Sequence, residues 1–216
     1  MNEIHGDILM QALGHLDGPS LASASCASSH LRSLASHPDL WRRLCLSTWP
    51  SLNHPLHLPL LNSSPRIFFS DAHPFPASSS PSHNTNLPDK LISAVDLYHR
   101  GVPIFSRVIE TDTSTSWFRN SAFLIDAPSA TGAVSPKDLT LSWIVIDPAK
   151  GRAVNLSSRR AVAVEKRDWC VGETVARFAT VREGLAVGAV VMWRKERWWR
   201  RWRGRGRGWE RMRLGR

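Results

Sequence analysis

Ile4-His5-Gly6-Asp7-Ile8-Leu9-Met10-Gln11-Ala12-Leu13-Gly14-His15-Leu16-Asp17-Gly18-Pro19 is the stretch around which the rest of the chain is organised. At about 100° per residue, Ile8, Leu9, Ala12, Leu13 and Leu16 share one sector of a helix, with Asp7, Gln11 and His15 on the opposite side. Gly18 and Pro19 stop that helix, since glycine tolerates a turn's positive φ and proline cannot extend the preceding hydrogen-bond ladder. A second helix is expected from about Ser20 to Ala27, capped by Ser20 and placing Leu21 and Ala24 on one face. A third starts near Pro38, whose missing N–H suits a first helical position, and turns Leu40, Trp41 and Leu44 inward. Three short helices in about 40 residues bury too little surface to be secure alone. The apolar face therefore packs on the rest of the chain or takes a partner.

These residues resemble the F-box, the helical module that docks F-box proteins onto the Skp-type adaptor of cullin-RING ubiquitin ligases. The likeness lies in Ile4 to Leu9, in Leu13 and Leu16, in Leu21-Ala22-Ser23-Ala24-Ser25-Cys26, in Leu31-Arg32-Ser33-Leu34 and in Pro38-Asp39-Leu40-Trp41. His5 stands where the family usually has proline, which leaves the opening turn less rigid. The resemblance implies adaptor binding through Ile4, Ile8, Leu9, Leu13, Leu16, Leu21, Cys26 and Trp41, with cullin reached through the adaptor.

The chain has 216 residues and a formal net charge of +10, a balance that points towards nucleic acid or an anionic surface. That charge is concentrated at one end. From Arg194 onward eleven Lys or Arg face two Glu, and the remainder of the chain is close to neutral. Cys26, Cys45 and Cys170 lie far apart without a C-x-x-C pair, so neither a disulfide framework nor a zinc site is expected, and no cofactor is implied. Glu3 and Asp7 occupy the segment where a secretory signal would be basic and then apolar. No apolar run reaches the roughly 18 residues of a membrane span. The expected setting is cytoplasm or nucleus.

Beyond Cys45 the chain is broken by Pro50, Pro55, Pro59 and Pro65, which forbid a long helix or a central strand. This is expected to be a packed connector, with His54 and His57 as solvated loop histidines. Residues 73–84 are rich in Pro and Ser and are expected to form an exposed loop. After them the period changes to that of strands. Strands are expected at Leu91 to Tyr98 and Ile104 to Ile109, joined by a turn at Arg100-Gly101. Others fall at Trp117 to Arg119, Ala122 to Asp126, Leu139 to Asp147, Ala153 to Leu156, Ala161 to Val164 and Thr174 to Val181. The fold class is α+β: an F-box over 1–48, a connector and loop over 49–90, a mostly antiparallel β domain over 91–192 that folds as its own unit, and a basic tail over 193–216.

Along this β region the chain is similar to a group of plant F-box proteins. The matching stretches are Ser47-Thr48-Trp49-Pro50-Ser51, Leu91 to Asp96, Pro103 to Ser106, Trp143 to Pro148, Asn155-Leu156-Ser157-Ser158-Arg159-Arg160 and Arg177 to Val181. No repeat of 20 to 50 residues is visible.

Catalytic signatures are missing: there is no Gly-rich phosphate loop, nucleophile elbow or helical His pair. Glu165, Asp168 and Glu173 are accompanied by Lys166, Arg167 and Arg177 and read as solvated ion pairs. In the tail, Arg200, Arg201, Trp202, Arg203, Arg205 and Arg207 combine phosphate-binding cations with a base-stacking ring, which makes nucleic-acid binding the alternative function. The same composition of Trp, Arg, Gly, Glu, Lys and Met is what guanine-rich codons encode when a purine-rich stretch is read in a shifted frame. The leading expectation is a non-enzymatic substrate receptor that docks on a Skp-type adaptor and holds a protein target.

Overall fold

The computed structural model describes residues 6–73, 87–121, 123–127, 138–157, 160–167, 173–182 and 185–194. Ile4, most of the expected loop and the tail from residue 195 with its candidate arginines lie outside the described residues.

Four helices, where the spacing predicts three, make up the N-terminal unit: α1 Gly6–Leu13, α2 Gly18–Ala27, α3 Ser29–Ala35 and α4 Pro38–Thr48. The additional one, α3, is capped by the Ser28 hydroxyl, which accepts from the Leu31 amide at 3.1 Å. For α2 the cap is Asp17 and not Ser20, because the Asp17 carboxylate accepts from the Ser20 amide at 2.9 Å. That contact, with the Ser20 side chain and then its backbone as the leading causes, holds the Asp17 carboxyl below its ordinary range. Gly18 is the first residue of α2 and is not among the positive-φ glycines, so it is not there for turn geometry.

The expected connector is largely helical. It contains a 3₁₀ turn at Pro50–Asn53, then α5 Leu58–Ser63 and α6 Pro65–Ala72. Each of these, like α2 and α4, carries a proline at its first or second position. There the lost N–H costs nothing, so the prolines that rule out one long helix instead start several short ones.

Among the described residues eight strands follow in two sheets. Sheet order is β2-β1-β4-β5 in the first, from β1 Lys90–His99, β2 Val102–Asp112, β4 Leu139–Asp147 and β5 Arg152–Asn155. The second runs β3-β8-β7-β6, from β3 Leu124–Asp126, β6 Ala163–Arg167, β7 Glu173–Arg182 and β8 Leu185–Arg194. All pairs are antiparallel except β3 with β8. The β1–β2 turn places Arg100 at φ 52° and Gly101 at φ 79°, the paired positive values that match a two-residue hairpin to strand twist. Trp117 to Arg119 lie not in a strand but in a short helix, α7 Ser116–Ser121; the Thr115 hydroxyl caps it by accepting from the Phe118 amide.

β1 is buried at every position from Leu91 to Leu97 because both faces of its sheet are covered. Ile92, Ala94, Ile144 and Ile146 join Leu13, Leu21, Trp41, Leu52, Leu61 and Phe68 in one core under the helices. The alternate residues Leu91, Val95, Leu97, Leu141 and Trp143 pack with Ala176, Phe178, Ala189 and Val191 of the second sheet. The molecule is thus layered as helices, sheet, sheet.

Candidate functional site

The N-terminal helices sort the sequence-derived contact residues into two sets. Leu13, Leu21 and Trp41 are 5%, 1% and 3% exposed and form the inside of the unit. Leu16 is partly buried and packed against the same core. Trp41 is locked: its indole N–H donates to the Ala35 carbonyl at 2.7 Å, its ring lies 5.4 Å from that of Phe69, and the Arg66 guanidinium stands over it at 5.6 Å. These side chains support the outer surface of the helical unit from beneath. Ile8, at 57% exposed, Leu9, half-buried, and Cys26, exposed, remain accessible. Helical geometry explains the division, since Leu9 lies one turn from buried Leu13 while Ile8 and exposed Ala12 fall on the outer flank.

Between α1 and α4 lies a second accessible feature, a groove of about 560 Å³ lined by Met10, Leu40, Leu46, Arg42 and Arg43 among others. The Arg42 Nε atom is shut off from solvent and has no hydrogen-bond partner among the described residues. Gly14 leaves room for Arg43: a Cβ there would stand 2.9 Å from its guanidinium.

A set of polar locks that the sequence does not announce fixes the helical unit to the sheet. Asp96, fully buried in β1, accepts from the Ser51 amide at 2.9 Å, the Ser51 hydroxyl at 2.6 Å and the Ser106 hydroxyl at 2.6 Å. Burial pushes the Asp96 carboxyl up from its ordinary value, against the hydrogen bonds from Ser106 and Ser51 that favour its charged form. The Tyr98 hydroxyl donates to the Thr48 carbonyl at the end of α4. On α6, Asp71 takes a two-pronged contact from Arg152, Nε at 2.6 Å and Nη2 at 2.8 Å, and the Asn155 side-chain amide donates to the Ala72 carbonyl. Asn155 and Ser157 also receive the Trp143 amide. A clue was present in the stretches similar to plant F-box proteins, which contain Ser51, Asp96, Ser106, Trp143, Asn155 and Ser157. Those stretches are largely the mount.

His57 corrects a sequence expectation. It is 1% exposed, neither ring nitrogen has a partner among the described residues, and burial, followed by the neighbouring His54, lowers its pKa to about 4. The α5 backbone explains its position, because the Leu61 amide donates to the His57 carbonyl and draws the residue into the core. His54 is exposed. Among the described residues no group of three or more His, Cys, Asp or Glu is placed to hold a metal ion, and no helix is long and apolar enough to cross a membrane.

A compact helical module with an accessible first helix, mounted on a two-sheet β body, is the arrangement these elements define, and residues 7–47 match the F-box-like family. The chain therefore carries an F-box-like domain over residues 7–47 and is similar over most of its length to F-box proteins. It is 44% identical over 208 residues to probable F-box protein At2g36090 of Arabidopsis thaliana, covering 88% of this chain and 61% of the relative. F-box protein At2g27310 of the same plant is 38% identical over 217 residues, with 88% and 64% covered. F-box protein At3g44326, also from Arabidopsis, is 34% identical over 208 residues, with 84% and 56% covered. The chain thus spans about three fifths of the length of these relatives. No solved structure matches it. F-box proteins are in general adaptors and not enzymes.

Proposed function

We propose that this chain is the substrate-recognition subunit of an SCF-type cullin-RING ubiquitin ligase. It docks on a Skp-type adaptor through the outer flank of α1 and presents a protein target from its β body. The observation that carries this reading is Ile8, a large aliphatic side chain left 57% exposed beside Leu9 on a module of the F-box-like family. An aliphatic residue so placed costs nothing when a partner covers it, and its burial contributes about 1.5–3 kcal/mol to association. The chain needs no chemistry of its own in this role. Holding a target beside the ubiquitin-transferring subunits turns a bimolecular encounter into an intramolecular one.

The test is binding of purified full chain to a plant Skp-type adaptor, compared with Ile8→Asp and Leu9→Asp. Both substitutions place a charge in an interface that excludes water, so binding is expected to be lost while the thermal midpoint of the Ile8→Asp protein stays unchanged. Wild-type affinity in the folded Ile8→Asp protein would refute the reading. Leu13, Leu21 and Trp41 are unsuitable probes, since truncating side chains this deeply buried costs about 2–5 kcal/mol of fold stability before any contact is tested.

A further inference from the structure

We infer that the groove between α1 and α4 is a subsite for an acidic segment of the docking adaptor, one carboxylate meeting Arg42 and an adjacent apolar side chain filling the space by Met10, Leu40 and Leu46. This rests on the adaptor reading above. The groove's chemistry selects the occupant, because its lining is apolar at Met10, Leu40 and Leu46 and carries two cations, Arg42 and Arg43, against one carboxylate, Asp39, with His37 beside it. Asp39, one helical turn before the arginines on α4, is the acidic group that would ordinarily neutralise them. It stands instead 3.6 Å from His37 and forms no ion pair with either arginine among the described residues. Arg42 is moreover a cation whose Nε–H has already lost its water on folding without gaining an acceptor among the described residues. A buried donor without a partner is unusual in a folded protein. Part of the cost of drying this guanidinium has therefore been met before the partner arrives, which favours a carboxylate as the group that meets it. The groove and the Ile8 flank share α1: Met10 lies two residues from Ile8, about 200° around the helix. A single partner that covers Ile8 and fills the groove therefore grips α1 from both sides.

The experiment titrates a purified plant Skp-type adaptor onto the full chain at low and high salt, for wild type, Arg42→Met, Met10→Glu and Ile8→Asp, with thermal midpoints recorded for each. Arg42→Met is expected to weaken binding at least tenfold at low salt, with the gap to wild type narrowing at high salt because the lost contact is electrostatic. Met10→Glu, which supplies a carboxylate from within and obstructs the groove, is expected to weaken binding by a similar factor. It decides the matter by itself if Arg42→Met melts early. Both groove variants binding within twofold of wild type while Ile8→Asp loses binding would overturn the subsite and leave adaptor docking standing. Wild-type affinity in Ile8→Asp would instead remove the docking reading, and with it the groove's occupant.

Discussion

Gly18 shows how a single residue constrains the mount. A Cβ at this position would stand 2.1 Å from the Phe69 ring, a distance no side chain sustains. Phe69 cannot swing clear, because its ring lies 5.4 Å from Trp41, 5.3 Å from Trp49 and 5.5 Å from His73. Gly18→Ala is therefore expected to destabilise the protein by about 1–3 kcal/mol, the usual cost of forcing atoms into a packed core. That outweighs the gain of at most about 1 kcal/mol that alanine brings to a helix. Gly6, with nothing within 4 Å of its would-be Cβ, is the control, and Gly6→Ala should be neutral or slightly stabilising in a denaturant melt. Asp96 makes a second prediction at this scale. Its pKa is raised in the folded state, so the folded protein holds the proton more tightly than the unfolded chain. The resulting stability is fully present below the ordinary value of 3.8 and is lost as pH rises through the raised one. Asp96→Ala should cost about 3 kcal/mol at pH 7 by leaving buried donors unpaired. Asp96→Asn, which keeps an acceptor for the Ser51 amide and sheds the buried charge, should stay within about 1 kcal/mol of wild type there. Its stability relative to wild type should fall on acidification below 3.8, and an unchanged difference between the two pH values would contradict the assignment.

Elements with strong local periodicity are legible in the sequence. β1, β2, β4, β5 and β7 fall where alternation or continuous apolar runs place them, and α1, α2 and α4 follow from the 3.6-residue pattern and their breakers. Elements whose identity depends on packing are not. Residues 116–121 hold aromatic side chains that suit a strand, yet a hydroxyl cap starts a helix there. β8, with Gly188 inside an otherwise apolar run, has its place only because it pairs β7 on one side and β3 on the other. α5 and α6 are hidden by prolines that mark helix starts as readily as breaks. Of the candidate site, composition and spacing reveal the apolar residues but not their division between interior and surface, since that depends on where α3 and α6 pack. The Asp71–Arg152 clamp belongs to the same class, its partners being 81 residues apart. Its worth is limited by Arg152, whose side chain is 61% exposed, while Asp71 is nearly buried. Arg152→Ala is accordingly expected to cost about 1–2 kcal/mol, between a surface pair and a desolvated one. Amide hydrogen exchange should quicken across α6 and leave the centre of β4 protected. Equal quickening in both would mean that the clamp supports the whole fold and not the seating of α6.

At the scale of the molecule, the helical unit and the first sheet are bound by one shared core. Ile92, Ile144 and Ile146 project from the first sheet into the core that Trp41, Leu52 and Phe68 complete. A chain built this way holds its N-terminal helices and its β body in one fixed relation, with no flexible joint required at the 3₁₀ turn where Ser51 meets Asp96. The sequence pattern suggests a β domain that folds by itself from about residue 91, and the core argues against that independence. Removing residues 1–73 would return three large aliphatic side chains to water at about 1.5–3 kcal/mol each. That sum is comparable to the whole net stability of an ordinary domain, about 5–15 kcal/mol. A chain starting at residue 87 is therefore expected to melt at least 10 degrees below the full protein, or to collect as aggregate, and to bind a hydrophobic dye that the full protein excludes. Supplying residues 1–73 as a separate fragment should restore part of the lost midpoint, because the exposed sheet face then regains its cover. A truncated chain that melts with the full protein and ignores both dye and fragment would show that the two parts fold independently and that their shared core contributes little.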